Sequence, residues 1–188
     1  MKTIKENVSN TIVINKSEFI CELIKIKDFE NIKLEYDKLK TKYKDATHYC
    51  YAYIFEDKKK SSDDGEPSGT AGMPILNVLK KNNLDHILAV VIRYFGGIKL
   101  GAGGLIRAYR KAACEALNKA SFTTLENGYL ITVEVSYDKQ KEIENLITNY
   151  TKDYQENVIY KIECTEEAKK LIEKNYKIIN ETKKVIEI

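Results

Sequence analysis

The densest group of chemically active side chains is the segment DDGEPSGTAG at residues 63–72. Three carboxylates, Asp63, Asp64 and Glu66, fall within four residues, and the hydroxyls of Ser68 and Thr70 follow. Carboxylates this close repel one another, so each needs a partner: a divalent cation, an arginine, or backbone N–H groups that it caps at the next helix. The spacing is not that of a calcium-binding EF-hand loop, whereas magnesium remains an alternative because it commonly takes one or two carboxylates.

A second segment, RYFGGIKLGAGGLIRAY at residues 93–109, is rich in glycine and leads into a predicted helix. Glycine lets the backbone approach a ligand, and the first turn of a helix presents N–H groups to an anion. The segment matches neither a Walker A loop nor the dinucleotide fingerprint. We therefore predict a more general phosphate or nucleic-acid site, whose candidate residues are Arg93, Tyr94, Gly96, Gly97, Lys99, Gly101, Gly103, Gly104, Arg107 and Tyr109.

The charged and aromatic members of this set have different expected roles. Lys99 lies within the loop, and Arg107, expected in the first helical turn, opposes the helix dipole there and so indicates an acidic partner. Arg93 follows a buried strand, where a charge is costly unless paired, so we predict that it meets the acidic loop. Tyr94 and Tyr109 are candidates to stack on a base. The structural alternative is that the glycines serve tight packing and that Arg107 pairs with the acidic loop.

The histidine and cysteine residues give little sign of catalysis. His48 and Cys50 lie two residues apart on a predicted strand, where packing is a more common role than a thiol–imidazole pair. We assign His48, with Ser68 and Thr70, a supporting role and predict no catalytic residue, no metal ligand and no cofactor. The 4 cysteines are widely spaced, which is typical of reduced thiols. No signal peptide or apolar span is visible, so a cytoplasmic protein without membrane contact is expected.

Hydrophobic periodicity predicts alternating strands and helices in the first two thirds of the chain. The predicted elements are strands at 11–14 and 19–26 around a turn at 15–18, a helix capped by Asp28, a strand at 48–55, a polar loop at 56–69, a helix with Pro74 in its first turn that ends near 82–83, a strand at 87–92, and a helix after the glycine run. The strand at 87–92 is apolar throughout, which indicates a central position with both faces buried.

The remainder of the chain shows a different order and a different charge. Its pattern predicts a strand at 129–136, a helix at 138–150, strands within 151–164, a helix at 165–175 and a last strand near 185–188, which is the β-α-β-β-α-β order of a ferredoxin-like domain. The net charge of the chain is +3, but residues 121–188 contain 10 lysines and 13 acidic residues, a net −3 that leaves +6 on residues 1–120. The basic first part favours an anionic partner.

Four segments resemble those of the IMPACT/YigZ family: KSEF at residues 16–19, DATHYCYAY at 45–53, and the acidic and glycine-rich segments described above. The resemblance implies an α+β protein of two two-layer α/β sandwich domains. Residues 1–122 would form an IMPACT N-terminal domain like the ribosomal small-subunit and elongation-factor domain superfamily. Residues 123–188 would form a ferredoxin-like domain similar to the last domain of elongation factor G.

The family resemblance also implies a setting in translation. The function expected is that of a cytoplasmic RNA- or ribosome-associated phosphate-binding factor linked to translation regulation, with RNA, the translation machinery or a small phosphate-containing ligand as partner. The first alternative is a magnesium-dependent nucleotide-phosphate hydrolase or transferase that uses the acidic loop. The second is a protein-interaction module of translational control.

Overall fold

Strands and helices alternate along the whole chain. In the computed structural model, which describes residues 1–188, the elements are β1 Lys2–Ile4, β2 Val8–Ile14, β3 Ser17–Lys25, α1 Asn31–Lys42, β4 His48–Phe55, β5 Lys58–Ser62, α2 Gly72–Lys81, β6 Ile87–Tyr94, α3 Gly101–Leu117, β7 Phe122–Val135, α4 Gln140–Glu144, β8 Tyr150–Tyr154, β9 Val158–Cys164, α5 Glu166–Glu173 and β10 Ile178–Glu187. The chain divides into two units, Met1–Thr123 and Thr124–Ile188. The α+β class that the family resemblance implies is therefore confirmed.

The sheet of the first unit is antiparallel and has the strand order β2-β3-β6-β4-β5. The predicted central strand is β6, whose residues 87–93 are all buried. One face of β6, with Ile87, Ala89 and Val91, packs in the core that contains α2 and α3. The other face, with Leu88 and Val90, packs in a second core that includes α1. Helices thus cover both faces of the sheet. The first unit has three layers and not the expected two, because α1 packs on the face opposite α2 and α3.

Three local details of the first unit differ from the sequence prediction. The β2–β3 hairpin has a two-residue turn, Asn15 and Lys16, with φ angles of 47° and 62°. α1 begins at Asn31 and has no side-chain cap, so the predicted capping role of Asp28 is wrong. The polar loop predicted at 56–69 contains β5, which pairs with β4 despite its three lysines.

The sheet of the second unit is also antiparallel, with the order β10-β7-β9-β8. Its elements follow the predicted β-α-β-β-α-β order, but their lengths differ. The helix predicted at 138–150 is reduced to a 3-10 turn, Tyr137–Lys139, and α4, because the chain turns after Ile143, whose carbonyl accepts from the Leu146 N–H. β10 is much longer than the strand predicted near 185–188, and most of its residues are exposed.

Thr165 caps α5, since its Oγ1 accepts a hydrogen bond from the Ala168 N–H at 3.3 Å. None of the helices combines the length and hydropathy that crossing a lipid bilayer requires.

Candidate functional site

A cleft of about 370 Å³ lies in the first unit where the end of β6 meets the start of α3. It brings together part of the acidic segment, part of the glycine-rich segment and the start of β4. Its lining residues are Thr47, His48, Glu66, Pro67, Arg93, Phe95, Lys99, Leu100, Gly101, Ala102 and Leu105.

Arg93 and Glu66 form a buried ion pair at the base of this cleft. The Arg93 Nη1 donates to Glu66 Oε1 at 2.5 Å, and the two residues are 5% and 8% exposed. The predicted contact between Arg93 and the acidic loop is thereby confirmed. The Arg93 Nη2 lies 3.4 Å from Ser17 Oγ, while Arg93 Nε has no hydrogen-bond partner. The guanidinium is therefore not fully compensated by the groups around it.

Tyr109 belongs to the same buried network rather than to an open surface. It is fully buried, and its hydroxyl donates to Glu66 Oε1 at 2.7 Å. Burial raises the pKa of Tyr109, and Cys50 and Glu66 next to the hydroxyl raise it further, so the hydroxyl keeps its proton. The suggestion that Tyr109 stacks on a base is wrong because its ring has no exposed face.

Cys50 is equally enclosed. Its thiol donates to the Asp63 carbonyl at 2.9 Å and lies 3.4 Å from the Tyr109 hydroxyl. Burial raises the pKa of Cys50 to about 12, against the opposing effect of the Tyr109 hydrogen bond, so the thiolate is scarce at neutral pH. Cys50 is therefore a packed thiol and not a nucleophile.

The other two carboxylates of the acidic segment have backbone partners. Asp63 accepts from the N–H groups of Gly69, Ala71 and Gly72 at 2.8–2.9 Å, and so caps the start of α2. Burial would raise the pKa of Asp63, but these three hydrogen bonds hold it below its ordinary value. Asp64 Oδ2 accepts from the Tyr49 N–H at 2.6 Å.

The three carboxylates are thus held by an arginine, a tyrosine and backbone amides, and no group of three or more His, Cys, Asp or Glu is arranged to hold a metal ion. The need of the three carboxylates for partners is therefore met within the protein.

His48 faces the cleft from the first residue of β4. Its Nδ1 lies 2.8 Å from the Asp64 carbonyl, which can only accept, so Nδ1 carries a hydrogen. The other ring nitrogen, Nε2, lies 3.9 Å from Glu66 Oε1. The supporting role predicted for His48 has a physical basis: the ring anchors the loop at Asp64 and leaves one nitrogen towards the cleft.

The glycine-rich segment is held by contacts with the β2–β3 turn at its start and is exposed to solvent further along. A Cβ at Gly96 would lie 2.0 Å from the backbone of Lys16, so only glycine fits where this segment crosses the β2–β3 turn. The Gly96 N–H donates to Ser17 Oγ at 3.1 Å. After this crossing the chain is exposed at Gly97 and Lys99 and enters α3 at Gly101.

The N-terminus of α3 differs from that of α2. No side chain caps α3, and its first turn contains no acidic residue. The first four N–H groups of a helix have no partner within the helix, so those of α3 are available to a ligand, whereas Asp63 already occupies the start of α2. The exposed Gly101 and Ala102 at this N-terminus line the cleft together with Lys99.

The remaining predicted site residues lie outside the lining of the cleft. The Tyr94 hydroxyl donates to the Lys44 carbonyl at 3.1 Å, and its ring packs on the α1 side of the sheet. Arg107 is exposed and lies in the second turn of α3, not the first, because the helix begins at Gly101. A Cβ at Gly103 would come within 3.5 Å of the Arg107 side chain, and one at Gly104 within 3.0 Å of Leu100.

Ser68 is exposed, and the Thr70 hydroxyl donates to the Pro67 carbonyl at 2.6 Å, so Thr70 stabilises the loop instead of reaching the cleft.

Several residues of the site were not among the predicted ones. Ser17 holds Gly96, and Thr47 Oγ1 accepts from the Phe95 N–H at 3.0 Å, so both fix the path of the glycine-rich segment. Phe95 is 48% exposed at the cleft, although it is a large apolar side chain. The sequence could have indicated Ser17 and Thr47 as site residues, since both lie in segments that carry the family resemblance.

Comparison with known proteins identifies the class to which this fold and site belong. The Impact N-terminal domain family matches residues 15–117, which include the whole cleft. The chain belongs to the IMPACT family.

Individual relatives match over most of the chain. It is 45% identical over 146 residues to the IMPACT family member YvyE of Bacillus subtilis, covering 76% of this chain and 67% of YvyE. It is 34% identical over 159 residues to the IMPACT family member YigZ of Escherichia coli, covering 79% and 78% of the two chains. A crystal structure of a hypothetical protein aligns with a TM-score of 0.65 and 30% identity, covering 94% of this chain and 95% of the other.

Proposed function

We propose that this protein is an RNA-binding factor of translation that holds a phosphate group of its partner at the N-terminus of α3. The observation that carries this proposal is the uncapped start of a 17-residue helix opening into a cleft that also contains Lys99 and Arg93. Unpartnered N–H groups and the positive end of the helix dipole both favour an anion at this position.

The side chains around α3 support a phosphate more than a neutral ligand. Lys99 is exposed at the cleft, where it is able to reach a phosphate oxygen. Arg93 lies beneath it, nine-tenths or more buried, with Nε lacking an acceptor. Gly101 and Ala102 have little or no side chain to block the helix N-terminus, so a bulky anion can approach the amides.

RNA is the source of phosphate that best fits the family. The family resemblance sets these proteins in translation, where RNA is the abundant polyanion, and the unit that contains the cleft carries the basic part of the chain. The Glu66–Arg93 pair, with Tyr109 and His48 around it, then braces the floor beneath the bound phosphate.

Two lysines near α3 offer a matched test of this proposal. Lys99→Gln removes a charge at the cleft just before α3, whereas Lys111→Gln removes an exposed charge within α3, about three turns from its start. Affinity for a short RNA is measured by fluorescence anisotropy at several salt concentrations. Lys99→Gln should weaken binding and reduce the salt slope by about 0.7, the contribution of one single-strand phosphate contact. Lys111→Gln should resemble the wild type, and equal effects of the two changes would contradict the proposal.

A further inference from the structure

The first unit has a second concave surface, on the opposite face of its sheet. A groove of about 420 Å³ lies between α1 and strands β4 and β5. Ile32 and Leu88 are buried at its base. Above them the lining consists of four half-buried aromatic residues and three exposed charged ones: Phe29, Tyr36, Tyr51, Tyr53, Lys33, Lys60 and Glu30. None of these residues belongs to the cleft at α3.

The aromatic rings of the groove come from two elements and meet in pairs. Tyr53 contacts Phe29 edge to face at a centroid distance of 6.0 Å, and Tyr51 contacts Tyr36 at 4.9 Å. Tyr51 and Tyr53 lie two residues apart on β4, hence on the same face and about 7 Å apart. A planar ring in van der Waals contact needs about 3.5 Å on each side, so this spacing leaves room for one flat heterocycle between the two tyrosines.

The charge around the groove is complementary to an anion. Lys60 lies opposite Tyr53 in the β4–β5 register and so projects from the same face of the sheet. Lys58, two residues earlier, also lies on this side, since its Nζ is 3.8 Å from the centre of the Phe29 ring. Glu30 is the one acidic residue of the lining, against Lys33 and Lys60. Aromatic faces flanked by lysines match the bases and phosphates of an unpaired nucleotide.

We infer that this groove, defined by Phe29, Tyr36, Tyr51, Tyr53, Lys33 and Lys60, binds unpaired nucleotides of single-stranded nucleic acid, with a base against the tyrosines and a phosphate at Lys60. A duplex keeps its bases stacked inside, so it has no flat face to offer the groove. The inference rests on the proposed function in that both concern nucleic acid. It assigns a separate surface, which recognises bases where the cleft recognises phosphate.

The test uses the full chain and a matched lysine on the same strand. Tyr53→Leu keeps apolar bulk but removes the stacking face, and Lys60→Gln removes the charge beside it. Lys59→Gln is the control, because Lys59 lies opposite Ile54, whose side chain packs on the other face with α2 and α3. Thermal melting of each variant establishes that it is folded.

Affinities are measured for a single-stranded RNA, a DNA of the same sequence, and the RNA annealed to its complement. Tyr53→Leu should weaken single-strand binding roughly 5- to 150-fold, the usual effect of losing one stacked base. Lys60→Gln should lower the salt slope by about 0.7, and Lys59→Gln should leave it unchanged. The inference is overturned if Tyr53→Leu binds like the wild type, if the two lysine changes have equal effects, or if the duplex binds as well as the single strand.

Small probes separate this inference from the proposed function. Adenosine carries a base but no phosphate, so it should shift the NMR signals of the Tyr51 and Tyr53 rings. Inorganic phosphate has no base, so it should shift the amide signals of Gly101 and Ala102. Absence of the first effect overturns the groove inference alone, and absence of the second overturns the phosphate site alone.

Discussion

Replacing Glu66 by glutamine tests whether the ion pair beneath the cleft organises the first unit. Glu66→Gln keeps the size of the side chain and an oxygen that can accept from Arg93 and Tyr109, but it removes the negative charge. Arg93, 5% exposed, is then a buried charge with no counter-charge. Breaking a buried ion pair from one side typically costs roughly 3–5 kcal/mol. Because the hydrogen bonds can persist, we expect a loss near the lower end, about 3 kcal/mol.

Two further variants show whether that loss comes from the uncompensated charge. Glu6→Gln removes an exposed carboxylate of the same unit and should change the free energy of unfolding by less than about 0.5 kcal/mol. The double change Glu66→Leu/Arg93→Met replaces both charges by apolar groups and should be less destabilising than Glu66→Gln alone.

The free energy of unfolding of the first unit is measured by hydrogen exchange of the β6 amides at increasing urea concentrations. Because β6 lies in the first unit, this measurement is separate from the stability of the second unit. The reasoning is refuted if Glu66→Gln exchanges like the wild type, or if the double variant is less stable than the single one.

Two other predictions concern the acidic segment and the thiols. Asp63→Asn keeps an oxygen that can accept from the Ala71 and Gly72 N–H groups but loses the negative charge and the acceptor of the Gly69 N–H, so it should destabilise the protein by roughly 0.5–1.5 kcal/mol. Because the pKa of Asp63 is lower in the folded protein than in the unfolded chain, the stability that it adds is present above about pH 4 and is lost as the pH falls through the folded pKa. Urea unfolding at several pH values should therefore show the two proteins converging in acid, and a constant difference would contradict the cap. Cys50 should resist iodoacetamide at neutral pH while the half-buried Cys114 reacts first, which mass spectrometry of the digested protein can check; rapid modification of Cys50 in the folded protein would contradict its burial.

The parts of the fold with strong local patterns were predictable. The apolar run at residues 87–92 gave the central strand, and Pro74 marked the first turn of α2. The contact between Arg93 and the acidic loop was also predictable, because a charge at the end of a buried strand requires a partner.

The elements that were missed or misjudged in length depend on tertiary pairing. β5 consists of KKKSS, and lysine and serine have little preference for strands, so only pairing with β4 stabilises it. β10 is polar over most of its length and is held by its ladder with β7. In the region predicted as a helix at 138–150, Ile143 and Ile147 are spaced as on a helix, but the chain turns between them.

The sequence predicted the position of the open helix N-terminus better than the directions and contacts of the side chains around it. The glycine-rich segment does contain the open helix N-terminus, yet the position of that terminus at Gly101 moved Arg107 to the second turn. Tyr109 is spaced with Leu105, Ala112 and Ala116 as on the apolar face of α3, so its inward direction could be predicted from the sequence. Its hydrogen bond to Glu66 could not, because a contact between segments so far apart in the chain depends on tertiary packing.

The most direct test of the phosphate site is to place a carboxylate at the start of α3. Ala102→Asp adds an acid in the first helical turn, where it should stabilise the helix by roughly 0.3–1 kcal/mol while competing with a bound anion. Ala102→Asn has nearly the same shape without the charge. In RNA titrations at low salt, the Ala102→Asp variant should bind RNA at least about tenfold more weakly than the Ala102→Asn variant, because the added carboxylate repels the phosphate. Equal RNA affinity of the two variants would contradict the assignment of a phosphate to the N-terminus of α3.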